Sequence, residues 1–321
     1  MSTSPRLVTL PDIERAAESI AATCLRTPVV PLVREDGQIP LWLKAESLQP
    51  TGAFKLRGAT YAIARLDAAE RRRGVVSHSS GNHAQAVAYA ARVAGVRATI
   101  VIPDTAPSLK VEATRRWGAE IVVVPPADRL ARAEKIAAET GAVLIPPYDD
   151  REVIAGQGTV GLEIAEQVPD LGTVLVPVSG GGLVSGTAAA VKALRPDVRV
   201  VAVEPELAGD LAEGWAAGER RVWSVADTSR TVADGLRTDS VGVLNWAHIQ
   251  AFVDDVVTVT EEEILAATGE IVRGARLVVE PSGAVAAAAV LAGTVAPTRG
   301  TTVAIASGGN VAPETLARLL V

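Results

Sequence analysis

One lysine, Lys55, stands where it could act as a nucleophile. It follows Thr51, Gly52 and an apolar pair, Ala53 and Phe54, at the expected start of a helix. A helix N-terminus and apolar neighbours both disfavour a charged amine, so Lys55 is suited to forming a Schiff base. Taken alone, the segment is more typical of a solvated surface lysine.

A glycine turn separates a strand-like run from a helix-like run at 177–186. In it, Ser179 precedes three consecutive glycines, Gly180, Gly181 and Gly182. Consecutive glycines let backbone N–H groups converge on an anion, and a helix N-terminus adds its dipole. The turn matches neither GxGxxG nor GxxxxGK[ST], so it predicts a phosphate cradle of another kind. A plain strand-to-helix turn is the alternative.

Two further loops carry polar side chains after predicted strands. The first precedes an alanine-rich helix and suits a carboxylate, which accepts several N–H and O–H bonds; its residues are Ser79, Ser80, Gly81, Asn82 and His83. An elaborate N-cap beside a packed histidine is the alternative.

The second loop, 306–310, contains Ser307, whose hydroxyl can donate to a neutral ring nitrogen. Alone, it is an ordinary turn.

Two carboxylates, Glu204 and Asp210, lie six residues apart in a loop after a predicted strand. Carboxylate and main-chain oxygens suit Mg²⁺, Mn²⁺ or Ca²⁺ rather than zinc. Two solvated loop carboxylates are the alternative interpretation.

Alternating strands and helices must position these loops. Apolar β-branched runs predict strands at 96–103, 119–126 and 142–148, with helices at 108–118 and 128–141 between them. A second series places strands at 173–178, 198–205 and 256–260, and a strand that enters a glycine turn at 301–310. This order predicts an α/β protein with parallel sheets, whose ligands bind beyond the carboxyl ends of strands.

Composition narrows the function classes. The 321 residues carry a net charge of −6, which argues against non-specific nucleic-acid binding. One cysteine excludes an intramolecular disulfide framework, and a count of only three histidines argues against a His-rich zinc site. Charges, Gly or Pro interrupt every apolar run, so we expect no membrane span, no signal peptide and a cytoplasmic location.

Together, these segments resemble the fold-type II pyridoxal-phosphate (PLP) enzymes, specifically serine/threonine dehydratases and serine racemase. The resemblance runs from about Leu41 to Asn310 and includes 153–164, 232–237 and 277–289. It implies a two-lobed, tryptophan synthase β-like enzyme, each lobe a mostly parallel sheet flanked by helices. The large PLP-binding domain would comprise 1–68 and 150–321, and the small substrate-loop domain 69–149. The family also implies a homodimer.

The resemblance implies a role for each loop. Lys55 would carry PLP and move the Cα proton, Phe54 would pack near the ring, Asn82 would bond the phenolic oxygen and Ser307 would face the ring nitrogen. The phosphate would lie on Ser179, Gly180, Gly181, Gly182 and Leu183. The substrate carboxylate would lie on Ser79, Ser80, Gly81, Asn82 and His83. Glu204, Asp210 and the carbonyl of Ala208 match the divalent-cation site of metal-dependent members.

Two positions depart from the most frequent pattern. Ser179 stands where many members begin the cradle with glycine. Ser80 stands where many threonine dehydratases have alanine, whereas serine racemase has a serine that returns a proton on the face opposite the lysine.

The leading expectation is dehydration of serine or threonine, because a serine at the ring nitrogen disfavours a long-lived carbanion. The alternatives are a serine racemase or dual racemase/dehydratase, a threo-3-hydroxyaspartate dehydratase, and a PLP-binding protein without turnover. The second carboxylate of hydroxyaspartate needs a cation, for which the candidates are Arg129, Arg132 and Arg237.

Overall fold

The computed structural model describes residues 5–34, 36–79, 81–106, 108–296 and 298–319. Ser80, a predicted catalytic and substrate-binding residue, lies outside these ranges. Within them the chain forms ten strands in two sheets.

The larger sheet has six strands in the order β1-β2-β10-β7-β8-β9. All neighbours are parallel except the β1–β2 pair, which is antiparallel. Runs such as 173–177 and 200–205 are buried throughout, as expected for strands covered by helices on both faces. The strands are β1 (Val29–Leu32), β2 (Leu41–Lys44), β7 (Leu171–Pro177), β8 (Arg199–Pro205), β9 (Asp255–Val259) and β10 (Thr301–Ile305).

The smaller sheet has four parallel strands in the order β5-β4-β3-β6. The central strands are mostly buried, whereas β5 is an edge strand with half-exposed and exposed side chains. The strands are β3 (Val75–His78), β4 (Ala98–Pro103), β5 (Glu120–Val124) and β6 (Val143–Leu144). Both sheets are therefore mostly or wholly parallel, which agrees with the predicted α/β class.

Helices cover the sheets and begin at several of the predicted loops. They are α1 (Leu10–Ile20), α2 (Lys55–Ala64), α3 (Ala68–Arg73), α4 (Asn82–Ala94), α5 (Ser108–Arg116), α6 (Arg129–Thr140), α7 (Arg151–Gln167), α8 (Gly182–Leu194), α9 (Asp210–Ala217), α10 (Val225–Thr228), α11 (Val243–Phe252), α12 (Glu261–Ala275), α13 (Pro281–Leu291) and α14 (Pro313–Leu319). No helix among the described residues is both long and apolar enough to cross a bilayer.

Helix α7 joins the two helices that start at the lysine and at the glycine turn. Its contact with α8 is close because both sides are glycine: a Cβ on Gly186 would lie 2.4 Å from the backbone nitrogen of Gly158. Its contact with α2 runs through Arg57, whose guanidinium reaches the carboxylate of Glu163 on α7 at 2.6 Å. The starts of α2 and α8 are thereby fixed relative to each other.

Arg57 belongs to a buried group of four charges, which we call the buried quartet: Lys44, Glu46, Arg57 and Glu163. Arg57 pairs with Glu46 at 2.8 Å and with Glu163, and Lys44 pairs with Glu163 at 2.5 Å. The ammonium of Lys44 also donates to the carbonyl of Thr27 at 2.7 Å. Two positive and two negative groups share the interior, so the quartet can stay ionised without an external counter-ion.

Candidate active site

Lys55 lies at the first position of α2, with its side chain half-buried. Its ammonium nitrogen donates to the carbonyl oxygen of Pro147 at 2.7 Å and lies 5.2 Å from the ring centroid of Phe54. Burial lowers the pKa of the amine to about 8. Among the described residues no carboxylate forms an ion pair with it. About a tenth of such amines is neutral at pH 7, far more than for an ordinary lysine, and the neutral amine is the form that a Schiff-base nucleophile requires.

The lysine segment and the 306–310 loop form one unit. Ala53 and Gly308 make an isolated antiparallel bridge, and the N–H of Phe54 donates to the carbonyl of Ser307 at 3.0 Å. The hydroxyl of Ser307 is buried and lies 3.4 Å from the carbonyl of Ser282. The structure therefore places Ser307 directly beside the backbone that carries Lys55.

The glycine turn follows β7 and leads into α8. Gly181 has a φ of +93°, a conformation that favours glycine. A Cβ on Gly180 would lie 2.2 Å from the ring of Tyr148, so the ring leaves room for glycine alone. Because Gly182 starts α8, the N–H groups of its first turn lack helical partners. The turn thus presents free N–H donors at the positive end of a helix, which suits a phosphate.

Ser179 holds the edge of this turn. Its hydroxyl lies 2.7 Å from the hydroxyl of Thr238, and it accepts the N–H of Thr238 at 3.3 Å. The Ser179 side chain is thus engaged with the neighbouring loop, and an anion at this turn would be bound by backbone groups.

The predicted substrate loop precedes α4 on the smaller sheet. Its described residues are Ser79, Gly81, Asn82 and His83, and the N–H of Gly81 donates to the Ser79 hydroxyl at 3.2 Å. The amide of Asn82 is held from both sides: it donates to Glu280 at 2.6 Å and accepts from Asn310 at 2.8 Å. Both partners belong to segments next to the larger sheet, so Asn82 connects a loop of the smaller sheet to the larger sheet.

The His83 ring is buried beneath this loop. Its Nε2 lies 3.1 Å from the carbonyl of Ile145, so Nε2 carries the proton and donates. Burial, followed by the charge of Lys55, lowers the pKa of His83 to about 3. The ring is therefore neutral at physiological pH, and a contribution to carboxylate binding would come from the backbone N–H at the start of α4.

The two carboxylates predicted to bind a cation are both buried. Glu204 accepts from the N–H groups of Leu211 at 3.3 Å and Ala212 at 2.8 Å, and Asp210 accepts from Val241 at 3.2 Å. Burial and the charge of Asp210 raise the pKa of Glu204, and burial raises that of Asp210 to about 7.

Ala208 ends a 3₁₀ turn between the two carboxylates. Among the described residues no cluster of three His, Cys, Asp or Glu side chains could hold a metal ion. A cation here would therefore need main-chain oxygens in addition to the two acids.

Several residues of the site were not assigned by sequence reasoning. Pro147 accepts the Lys55 amine, Tyr148 covers the glycine turn, and Glu280 and Asn310 hold Asn82. Burial raises the pKa of Glu280 to about 7. Glu280 and Asn310 lie within segments that carry the resemblance, which was the available signal.

The three candidate arginines for a second substrate carboxylate are engaged with other partners. Arg129 donates to the carbonyl of Pro126, Arg132 lies 3.7 Å from Glu139, and Arg237 donates twice to the carbonyl of Thr231. None of these contacts involves Lys55 or the glycine turn.

The residues present fit PLP. A buried amine without an acidic partner, a turn of free N–H donors and the Ser307 hydroxyl are connected through hydrogen bonds and packing: Lys55 to Pro147, Tyr148 to Gly180, and Phe54 to Ser307. The amine can react with an aldehyde, the N–H groups can bind a phosphate, and the hydroxyl can donate to a ring nitrogen.

Comparison with known proteins agrees with this chemistry. The model of the family described as "Pyridoxal-phosphate dependent enzyme" matches residues 20–308. A serine racemase of Oryza sativa is 43% identical over 283 residues, covering 87% of this chain and 82% of the relative. An L-threonine ammonia-lyase of Thermotoga maritima is 40% identical over 323 residues, covering 98% and 78%. The solved structure of maize serine racemase has a TM-score of 0.90 at 40% identity, covering 98% of this chain and 97% of that one.

The chain therefore belongs to the pyridoxal-phosphate-dependent enzyme family. The predicted fold class, family and PLP dependence are confirmed.

Proposed function

We propose that this enzyme is a serine/threonine dehydratase, an ammonia-lyase that converts a small β-hydroxy amino acid to a 2-oxo acid and ammonia. The observation that carries the proposal is the Lys55 amine, which is buried, has a pKa lowered to about 8 and donates to a carbonyl instead of a carboxylate. Such an amine can form a Schiff base and can also take a proton from Cα. Relatives named L-threonine ammonia-lyase and serine racemase support a substrate of this class.

Each side chain then has a defined task. When bound, PLP withdraws electrons from the substrate Cα. Lys55 removes the Cα proton, and Phe54 packs near the cofactor. The turn from Ser179 to Leu183 holds the phosphate, and Asn82 donates to the phenolic oxygen. The loop 79–83 binds the substrate carboxylate through N–H and O–H donors.

The Ser307 hydroxyl favours elimination over carbanion chemistry. A hydroxyl can donate to a ring nitrogen without transferring its proton, whereas a carboxylate would keep that nitrogen charged. With a weaker electron sink, departure of hydroxide from Cβ accompanies loss of the Cα proton. The Lys55 amine would then displace the product nitrogen from the cofactor, and the freed enamine tautomerises to an imine that water hydrolyses to the 2-oxo acid and ammonia.

Racemisation of serine, alone or beside dehydration, is the second candidate. The sequence feature that favours it is Ser80, placed where serine racemases carry a proton-returning serine, and several relatives are named serine racemase. Chiral analysis of the product from L-serine separates the two: D-serine that forms in the wild type and disappears in Ser80→Ala supports racemisation. Absence of D-serine leaves dehydration alone.

A hydroxyaspartate substrate has less support. Its second carboxylate would need a cation, and the contacts of Arg129, Arg132 and Arg237 lie elsewhere. A panel of L-serine, L-threonine and threo-3-hydroxyaspartate, assayed for 2-oxo acid, ranks the three. We expect the two neutral substrates to react faster.

The experiment that tests the function directly combines turnover with covalent mapping. We expect ammonia and 2-oxo acid from L-serine or L-threonine, and a pyridoxyl group on Lys55 after borohydride reduction. The Lys55→Ala variant should lose both. Ammonia from none of the three substrates, with the pyridoxyl group present, would leave a PLP-binding protein without turnover and overturn the proposal.

Three further assignments complete the proposal. Glu204, Asp210 and the Ala208 carbonyl bind a divalent cation, Mg²⁺, Mn²⁺ or Ca²⁺, supported by two buried and mutually repelling carboxylates. Residues 1–68 and 150–321 form the large domain and 69–149 the small one, supported by the division of the strands between two sheets. The enzyme is a homodimer, as expected for the family.

A further inference from the structure

Asn245 lies beneath the glycine turn and makes contacts that no catalytic task explains. It is fully buried in the first turn of α11, and its Cβ lies close under Gly181, where an added Cβ would be 2.8 Å away. The orientation of its amide follows from its neighbours: the nitrogen faces the carbonyl of Gly180 at 3.1 Å and a carboxylate oxygen of Asp149 at 3.2 Å, and the oxygen faces the hydroxyl of Ser185 at 3.2 Å.

These contacts fix one peptide plane. The carbonyl of Gly180 receives two donors, the amide of Asn245 and the N–H of Gly242 at 3.0 Å. In a trans peptide the C=O and the next N–H point in opposite directions. The N–H of Gly181 is therefore directed away from α11, and within the described residues it has no acceptor. It stands next to the free N–H groups that start α8.

Asp149 ties this arrangement to the lysine. Its carboxylate accepts from the N–H groups of Val243 at 3.0 Å and Leu244 at 2.9 Å and so caps α11. The two preceding residues are Pro147, which accepts the Lys55 amine, and Tyr148, which covers Gly180. One short segment thus fixes the amine, the outer face of the turn and the helix that carries Asn245.

We propose that Asn245 is a positioning residue for the cofactor phosphate: it holds the Gly180–Gly181 peptide so that the Gly181 N–H points at the anion. The inference rests on the proposed assignment of the phosphate to the turn 179–183. It predicts a defect that depends on the phosphate, because the amide acts on an N–H that pyridoxal, which has no phosphate, would not use.

The test compares PLP with pyridoxal on apoenzyme prepared from the holoenzyme. In Asn245→Leu, which keeps the size of the side chain and removes both amide donors, we expect PLP affinity to fall about tenfold, the scale of one hydrogen bond to a charged group. Pyridoxal affinity should stay unchanged. The matched control is Gln250→Leu, which also replaces a side-chain amide by leucine but on the exposed face of α11, and which should alter neither affinity. An equal loss for both ligands, or no loss for PLP, overturns the inference.

A second variant and an NMR measurement separate the role of Asn245 from the phosphate assignment. In Ser179→Asp a carboxylate enters the turn, so the preference for PLP over pyridoxal should narrow if the phosphate binds there. If Ser179→Asp leaves the preference for PLP over pyridoxal unchanged, the phosphate does not bind at this turn. If Ser179→Asp narrows that preference but Asn245→Leu binds PLP as tightly as the wild type, the phosphate assignment stands and only the role of Asn245 is overturned. Should Asn245→Leu not fold, the amide proton of Gly181 in the wild type decides: its NMR shift should move with PLP and not with pyridoxal, and an unmoved shift contradicts the inference.

Discussion

The molecule contains two kinds of buried charge, and they differ in whether a counter-charge is in direct contact with them. The buried quartet contains two cations and two carboxylates in direct contact. Glu204 and Asp210 are also buried, yet their contacts are backbone N–H groups, and their pKa values are raised. In the quartet, by contrast, Arg57 lowers the pKa of Glu46 although burial alone would raise it.

The difference separates structure from function. A buried ion network that is neutral as a whole needs nothing further and can hold α2 against α7. Buried groups of one sign are costly unless a ligand supplies the opposite charge, so they indicate a site. Lys55 is the corresponding cation without a carboxylate partner, and Glu280 is a carboxylate with an amide partner. The predictions test this division, beginning with the largest effect.

Removing one charge from the quartet should have the largest effect on stability. In Arg57→Met the carboxylates of Glu46 and Glu163 lose their shared cation, and the loss of a partner from a buried network costs about 3–5 kcal/mol. Urea unfolding of the holoenzyme measures this cost. The control is Arg26→Met, because the Arg26–Glu166 pair is about half exposed and should contribute about 0–1 kcal/mol. A similar loss of unfolding free energy in the two variants would show that the buried quartet contributes no more to stability than an exposed ion pair.

A divalent cation should stabilise the unbalanced carboxylates. We expect Mg²⁺ at about 100 times its Kd to stabilise the folded protein by about 2.7 kcal/mol, seen as a rise in Tm. Glu204→Gln should lose the response, because it removes one of the two charges. Glu206→Gln changes an exposed acid of the same loop and should respond like the wild type. An equal rise in Glu204→Gln would place the cation elsewhere.

The pattern of strands and helices made the fold class predictable, but the bounds of individual strands depended on local chemistry that the pattern did not show. The expected strand at 142–148 shrinks to Val143–Leu144, because Pro146 and Pro147 have no N–H for a ladder. That break has a function, since it leaves the Pro147 carbonyl free to accept the Lys55 amine. The antiparallel pair β1–β2 escaped prediction because its strands are only four residues long.

The loops of the site were visible in the sequence, whereas the residues behind them were not. Lys55 and the glycine turn have recognisable types and spacing. Asn245 and Glu280 act through contacts with residues at least 60 positions away, and such contacts exist only after the helices pack. The quartet was missed for the same reason: Lys44 and Glu163 are brought together from positions 119 apart.

The Lys55 amine should titrate far below an ordinary lysine. Its pKa is lowered to about 8 by burial, and only the neutral amine attacks an aldehyde. The rate of pyridoxal addition to the apoenzyme should therefore rise with pH and level off with a midpoint at about 8, whereas an unperturbed lysine has its midpoint at about 10. Stopped-flow absorbance follows the reaction, with Lys55→Ala as the control for addition at other lysines. A midpoint near that of an ordinary lysine would mean that the amine is not held as the structure indicates.

Glu280 should give the smallest effect, and its sign is defined. Its folded pKa is raised to about 7 by burial and by Asp234, against the favourable contacts of Asn82 and Lys110. The unfolded carboxyl has a pKa of about 4.3, so between these values the folded state keeps a proton that the unfolded state releases. Stability from this group is therefore lost as pH rises through that window.

Glu280→Gln removes the titration and keeps an oxygen that can accept from Asn82. The Tm of the variant, taken relative to the wild type, should therefore rise by about 4 °C between about pH 5 and about pH 8. The matched control is Glu262→Gln on the exposed face of α12, whose difference from the wild type should stay flat. If the Glu280 variant also stays flat, the carboxylate is ionised throughout, and its amide partner compensates the buried charge as fully as the cations of the quartet do.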